Sequence, residues 1–223
     1  MAEKAKKSKI DPQQYFRVIE TLTGGGDVNA VRARFGGNSE RIRRLVLSNA
    51  KIRGWSEPSQ RLEMQSLNLD RLFEAAERTL PLYMTMFARV CADITTLGSK
   101  CDFQPCTKLK SKARASAKVV IKYGSDCSRI TDLVRGTMAF DTLDGLYQGV
   151  EQLINHPLFN GYSTCIVAFE DRYLNPLTGG YCDCQLLVNV AGHLCELQVN
   201  CKAMLEAKHG GGHAVYEVSR FVH

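Results

Sequence analysis

Residues 181–202 hold two short alternating runs on either side of Ala191-Gly192. One side of the alternation reads Tyr181, Asp183, Gln185, Glu196, Gln198, Asn200 and Lys202. If Ala191-Gly192 is the turn of a tight hairpin, Leu187 faces Glu196, Gln185 faces Gln198, Asp183 faces Asn200 and Tyr181 faces Lys202. Side chains alternate with period two along a strand, so these polar groups share one face. Asp132, at the head of "DLVRGTMAF", is a further carboxylate expected to reach that patch. Two carboxylates from separate strands suit a hard divalent ion such as Mg²⁺, which takes few protein carboxylates and completes its shell with phosphate and water. Tyr181 follows Gly179-Gly180 and offers its ring as a stacking platform for a base. The segment "TKLKSKARASAKVVIKYG" brings Lys108, Lys110, Lys112, Arg114, Lys118 and Lys122 with no acid among them. Arg114, Lys118 and Lys122 are spaced by four and so lie on one helical face. Converging cations repel one another unless an anion, here a triphosphate, sits among them. Together these parts suit phosphoryl-type transfer, where catalysis is mostly positioning and charge neutralisation. A solvated strand surface and a solvated cationic helix are the plainer alternatives.

The elements that would carry these groups form an α+β chain. The runs "TDLVRGTMAF" and "YSTCIVAFED" read as strands and "LDGLYQGVEQLINH" as an amphipathic helix between them. With the hairpin they predict a mixed, mainly antiparallel sheet of about four or five strands flanked by helices. A helix or two is expected over 202–220, interrupted at Gly210-Gly211-Gly212, and a long helical stretch over 61–97, interrupted or restarted at Pro81 and followed by a loop through Pro105. Residues 1–10 read as a basic flexible tail and 11–55 as a small basic helical region. There "DVNAVRARF" starts at an Asp27 cap and stops at Gly36-Gly37, and "NSERIRRLVLSNAK" restarts after it. Two short helices with Arg41, Arg43 and Arg44 on the second are compatible with a helix-turn-helix nucleic-acid reader; a plain helical hairpin with solvated arginines is the preferred reading. The remaining unit spans 60–223.

Composition narrows the class. Of 223 residues, 44% are hydrophobic and 23% charged, as in ordinary globular proteins. No apolar run is long enough to cross a bilayer, and no secretory signal is present, so a cytoplasmic location is expected. The net charge of +6 belongs to the first quarter: residues 1–55 hold twelve Lys/Arg against five Asp/Glu, so general polyanion attraction, to tRNA or other RNA, is sought there first. Nine Cys without a disulfide or zinc spacing read as reduced core thiols, with Cys182, Cys184 and Cys195 alternating onto the apolar side of the hairpin.

The order "KLKSKARASAK", "ITDLVRGTMAF", "EDRYLNPLTGGY", "CELQV", "HAVY" resembles the RelA/SpoT nucleotidyltransferase domain, the synthetase module of (p)ppGpp enzymes. The resemblance covers roughly 60–220 and is most specific at Gly180-Tyr181, Glu196-x-Gln198 and His213-x-x-Tyr216. It implies an ATP-dependent pyrophosphokinase that moves the β,γ-diphosphate of ATP to the ribose 3′-hydroxyl of a guanine nucleotide. Carried over, Asp132 and Glu196 would hold Mg²⁺, with Glu196 also helping to activate the acceptor hydroxyl. Lys108, Lys110, Ser111, Arg114, Lys118 and Arg135 would face ATP and its phosphates. Tyr181 would stack on the acceptor base, with Asp183, Gln185, Gln198, Asn200, His213 and Tyr216 completing the acceptor side. The chain departs from the family pattern at Arg135 and Thr137, which stand where a glycine and an arginine belong. It departs again at Leu177, Gln185 and Asn200, in place of a basic residue, a histidine and an arginine. Toxin-like members of the family transfer the diphosphate to the tRNA 3′ end, which is one alternative; a catalytically silent nucleotide- or RNA-binding module is the other. No His-Asp dipeptide occurs, so alarmone hydrolysis is not expected.

Overall fold

The computed structural model describes residues 13–55, 59 and 68–212. Two helices open it, α1 (Gln14–Thr23) and α2 (Val28–Ile52), followed by the long α3 (Leu69–Thr96). Strand β1 (Cys101–Pro105), helix α4 (Lys112–Tyr123), strand β2 (Arg135–Phe140) and helix α5 (Leu143–Ile154) come next. Strands β3 (Thr164–Asp171), β4 (Cys184–Val190) and β5 (His193–Cys201) and helix α6 (Lys202–Ala207), continued by a π-helical turn over Lys208–Gly212, complete the described chain.

The five strands form one sheet in the order β1-β2-β5-β4-β3. Only the β2–β5 pair is parallel; the other three pairs are antiparallel. The mixed, mainly antiparallel sheet expected from the sequence is therefore present. Its hairpin has the register read from the alternation, with Leu187 opposite Glu196 and Gln185 opposite Gln198. Ala191 and Gly192 both have positive φ, +50° and +88°, the left-handed pair that two-residue hairpin turns demand.

One face of the sheet is apolar. Cys184, Leu186, Val188, Cys195, Leu197 and Val199 are buried there in the main core, with Cys182. Helices α3 and α5 contact β5 directly. Gly136 of β2 permits this closeness, because a Cβ there would meet the rings of Phe103 and Tyr83 at 2.9 and 3.0 Å. All nine cysteines are free thiols.

Three local expectations change. Residues 28–52 form one uninterrupted helix through Gly36-Gly37, so neither the helix-turn-helix nor the two-helix hairpin exists. Each mid-helix glycine costs about 1 kcal/mol relative to alanine, but Val31, Phe35, Ile42 and Val46 offset this by burying into the same core as the sheet. Asp27 does cap that helix, accepting from the amides of Asn29 and Ala30. Pro81 lies inside α3 without ending it. Residues 101–105, expected as loop, form the edge strand β1. None of the described helices is long and apolar enough to cross a membrane.

Candidate active site

On the other face of the sheet the buried groups are polar. Glu196 is 8% exposed and sits at the centre, its backbone amide donating to the Val134 carbonyl (3.0 Å) and its own carbonyl accepting from the Tyr83 hydroxyl (2.8 Å). Each carboxylate oxygen receives an amide. Gln185 Nε2 donates to Oε2, and Gln198 Nε2 donates to Oε1 at 3.0 Å. Each glutamine is in turn oriented by a cation: Arg172 donates to Gln185 Oε1, and Lys208 Nζ donates to Gln198 Oε1 at 3.2 Å. An amide oxygen that accepts from a cation must turn its NH₂ the other way. Two cations thus point two amides at one carboxylate.

Asp132 lies beside this centre in a different setting. Lys110 and Lys118 both donate to its Oδ2 at 2.8 Å, while its buried Oδ1 has no hydrogen-bond partner among the described residues. Ser111 caps α4 by accepting from the Arg114 amide (3.4 Å), and the Lys110 amide donates to the Leu133 carbonyl (3.1 Å). These contacts pin the start of the basic helix next to the aspartate. Burial alone would raise the Asp132 pKa, but Lys118 and then Lys110 outweigh it and the carboxyl stays below its usual range. Glu196 goes the other way: burial pushes it up, and the neighbouring charges of Asp132 and Asp183 push it further. Two carboxylates driven apart in this way are suited to different tasks, one as a fixed charge and one as a proton acceptor.

Arg172 and Lys208 were not singled out in the sequence. Arg172, just past β3, also pairs with Asp183 Oδ1 (3.1 Å) and Glu170 Oε2 (2.7 Å). It lies in the quoted "EDRYLNPLTGGY", so the motif contained the signal. Lys208 follows α6, and nothing in its local sequence marks it. Arg135 is paired in register with Glu196, and Thr137 with Gln198.

The side expected from the sequence to take an acceptor is more closed than foreseen. Tyr181 is 5% exposed, with the Tyr15 ring of α1 edge-on at 5.4 Å and Lys208 Nζ 5.0 Å from its ring centre. The open stacking platform foreseen from Gly179-Gly180 is thus a covered ring here. Gly180 has φ +85°, and a Cβ on it would come 3.1 Å from Phe16, so glycine is what lets α1 press down at this point. Asn200 bridges two phenols: its Nδ2 donates to the Tyr181 hydroxyl (2.8 Å) and its Oδ1 accepts from the Tyr173 hydroxyl (3.0 Å). Asp183 is fully buried, and burial raises its pKa despite Arg172. Lys202 leaves the patch altogether and pairs with Asp102 (2.6 Å) and Asp141 (2.7 Å) at the β1–β2 side.

Of the foreseen residues, the structure brings together Asp132, Lys110, Lys118, Arg135, Glu196, Gln185, Gln198, Asp183, Asn200 and Tyr181. Lys108 and Arg114 are exposed near the start of α4. His213 and Tyr216 lie outside the described residues. The arginines of α2 are largely engaged with the rest of the fold: Arg34 with Asp144 (2.7 Å), Arg41 with Glu151 (2.6 Å) and Arg32 with the Leu174 carbonyl (2.9 Å).

No family model and no curated protein matches the chain. Solved structures do. Small alarmone synthetase 1 from Bacillus subtilis, bound to its product pppGpp, superposes with a TM-score of 0.50 at 15% identity, over 67% of this chain and 81% of that one. Small alarmone synthetase 2 from the same organism gives 0.45 at 16% identity, covering 69% and 95%. The Type VI effector Tas1, in complex with its immunity protein, gives 0.44 at 21% identity, covering 66% and 76%. At these identities the likeness is one of fold, and the fold is that of the small alarmone synthetase.

Proposed function

We propose that this chain is an ATP-dependent nucleotide pyrophosphokinase, transferring the β,γ-diphosphate of ATP to the 3′-hydroxyl of a guanine nucleotide. The observation that carries this reading is the pair Asp132 and Glu196. They sit on one polar sheet face, ringed by Lys110, Lys118, Arg135, Arg172 and Lys208, in a fold shared with a synthetase that was solved with pppGpp.

Lys110 and Lys118, with exposed Lys108 and Arg114 beside them, hold the triphosphate and take up the charge that builds on the transferred group. Asp132, with a buried oxygen left unpartnered, and Glu196, whose oxygens each keep a second lone pair, fit a Mg²⁺ ion. When bound, that ion would neutralise phosphate charge. Glu196 accepts the proton of the attacking 3′-hydroxyl, a role its raised pKa favours. Gln185 and Gln198 hold its carboxylate in one rotamer while it does so. The new bond joins the ribose oxygen to the β-phosphorus, the α,β-bridge breaks, and AMP leaves. For Tyr181 to stack on the acceptor base, the Tyr15 ring has to move aside.

The covered Tyr181 is the one observation that favours a silent binding module instead. Incubation with γ-³²P-ATP and Mg²⁺, offering GDP, GTP, ATP and bulk tRNA separately, tests both readings beside a Glu196→Gln variant. Label moving to GDP or GTP and lost in the variant is the expected result. Label on tRNA reassigns the acceptor, and bound nucleotide with no transfer leaves the silent module.

A further inference from the structure

The two groups placed to hold a metal are not equally ready for one. Asp132 already carries two ammonium groups on Oδ2, at 2.8 Å each, and the side chains of all three residues are mostly buried, at 13%, 15% and 9% exposure for Lys110, Lys118 and Asp132. The cations gathered here, Lys110, Lys118, Arg135, Arg172 and Lys208, outnumber the carboxylates Asp132, Asp183, Glu196 and Glu170. In a partly desolvated site like charges interact far more strongly than in water. A bare divalent cation approaching Oδ1 therefore meets two fixed positive charges on the same carboxylate.

We propose that Lys110 and Lys118 are placeholder cations that make divalent-metal binding conditional on a polyphosphate. This rests on the reading of the site as a nucleotide–metal centre. A triphosphate brings more negative charge than the aspartate offers and sits on the face from which Lys110, just before α4, and Lys118, within it, present their amines. It draws both lysines off Asp132 and in the same step frees the carboxylate for the metal. Metal and nucleotide then bind as one unit, and the coupling is reciprocal. A metal ion without nucleotide finds the site taken, which keeps Glu196 from being locked onto metal in the absence of donor.

Direct Mn²⁺ binding, followed by the electron paramagnetic resonance signal of the free ion, tests this without turnover. The protein is the full chain, as wild type, Lys110→Gln, Lys118→Gln and the double variant, each checked by thermal melting. Glutamine keeps an N–H donor for Asp132 but removes the charge, so the buried carboxylate stays hydrogen-bonded. The lysine variants should bind Mn²⁺ alone roughly tenfold or more tightly than wild type, and adding Asp132→Asn should cancel the gain. The same variants should bind α,β-methylene-ATP in EDTA more weakly than wild type. An unchanged or weakened Mn²⁺ affinity in the lysine variants overturns the proposal. So does saturation of nucleotide-free wild type by micromolar Mn²⁺, an arm that needs no variant. The outcomes separate from those of the functional reading: absence of pyrophosphate transfer with tighter Mn²⁺ binding in the variants sinks the activity and keeps the placeholder. Active transfer with unchanged Mn²⁺ binding does the reverse.

Discussion

On one face of the β4–β5 hairpin, Leu186, Val188, Leu197 and Val199 are buried against the helices; on the other, Asp183, Glu196 and Asn200 are buried almost as deeply. The first face is apolar and close-packed, and a fully buried side chain of this kind stabilises by roughly 1.5–3 kcal/mol. The second hides carboxylates and amides, which is costly unless their hydrogen bonds are made. Gln185 and Gln198 supply those of Glu196, and Arg172 and Lys208 hold the two glutamines in place. Apolar residues of similar volume would stabilise that face as well or better. The polar face is therefore explained by chemistry and the apolar face by folding, and substitutions should separate along that line.

The largest effect is expected at the centre of the polar face. Glu196→Gln should reduce diphosphate transfer about a thousandfold and cost about 1–2 kcal/mol of stability, because its NH₂ group faces the NH₂ of Gln185 or Gln198 where a carboxylate oxygen accepted. A collapse of stability instead would erase the distinction between the faces. The converse is Leu197→Ala, directly behind it in sequence but pointing into the core. It should cost about 3 kcal/mol in denaturant unfolding, with transfer per folded molecule unaltered.

A third test uses pH. His193 shares the apolar face by alternation, is 1% exposed, and neither ring nitrogen has a hydrogen-bond partner among the described residues. Burial pushes its pKa down to about 4 from 6.5. The unfolded chain thus takes up a proton that the folded chain refuses, so stability is full above pH 6.5 and falls as pH drops toward 4. The loss should reach at most about 3 kcal/mol, and His193→Leu should flatten that part of the stability–pH curve. A slope unchanged in the variant would place the acid sensitivity on the polar face. The smallest effect belongs to neither face: Arg34→Ala removes an exposed pair with Asp144 and should cost below about 1 kcal/mol.

The hairpin was readable because period-two alternation and a two-residue Ala-Gly turn leave one register that buries the thiols and aliphatics together. The basic helix was readable through its spacing of four, while the cap that Ser111 gives it came only with the structure. What the sequence hid depends on distant packing. Gly36-Gly37 looks like a helix end until Phe35 and Ile42 are seen buried, which offsets the local cost. Strand β1 is five residues long, ends in proline and lies at the sheet edge, so it carries little alternation. Arg172 and Lys208 reach Glu196 only through the two glutamines, a relay made of partners from β3, β4, β5 and the end of α6. Tyr181 lies at the edge of the patch, bonded to Asn200, but the ring that covers it comes from α1, and no local signal links the two.

The most direct test of the central claim follows the leaving group. With α-³²P-ATP, Mg²⁺ and GDP or GTP, a pyrophosphokinase releases labelled AMP, one for each diphosphate that reaches the acceptor. The account predicts AMP in that ratio, abolished by Glu196→Gln. Release of labelled ADP, or AMP formed without any phosphorylated acceptor, would contradict it.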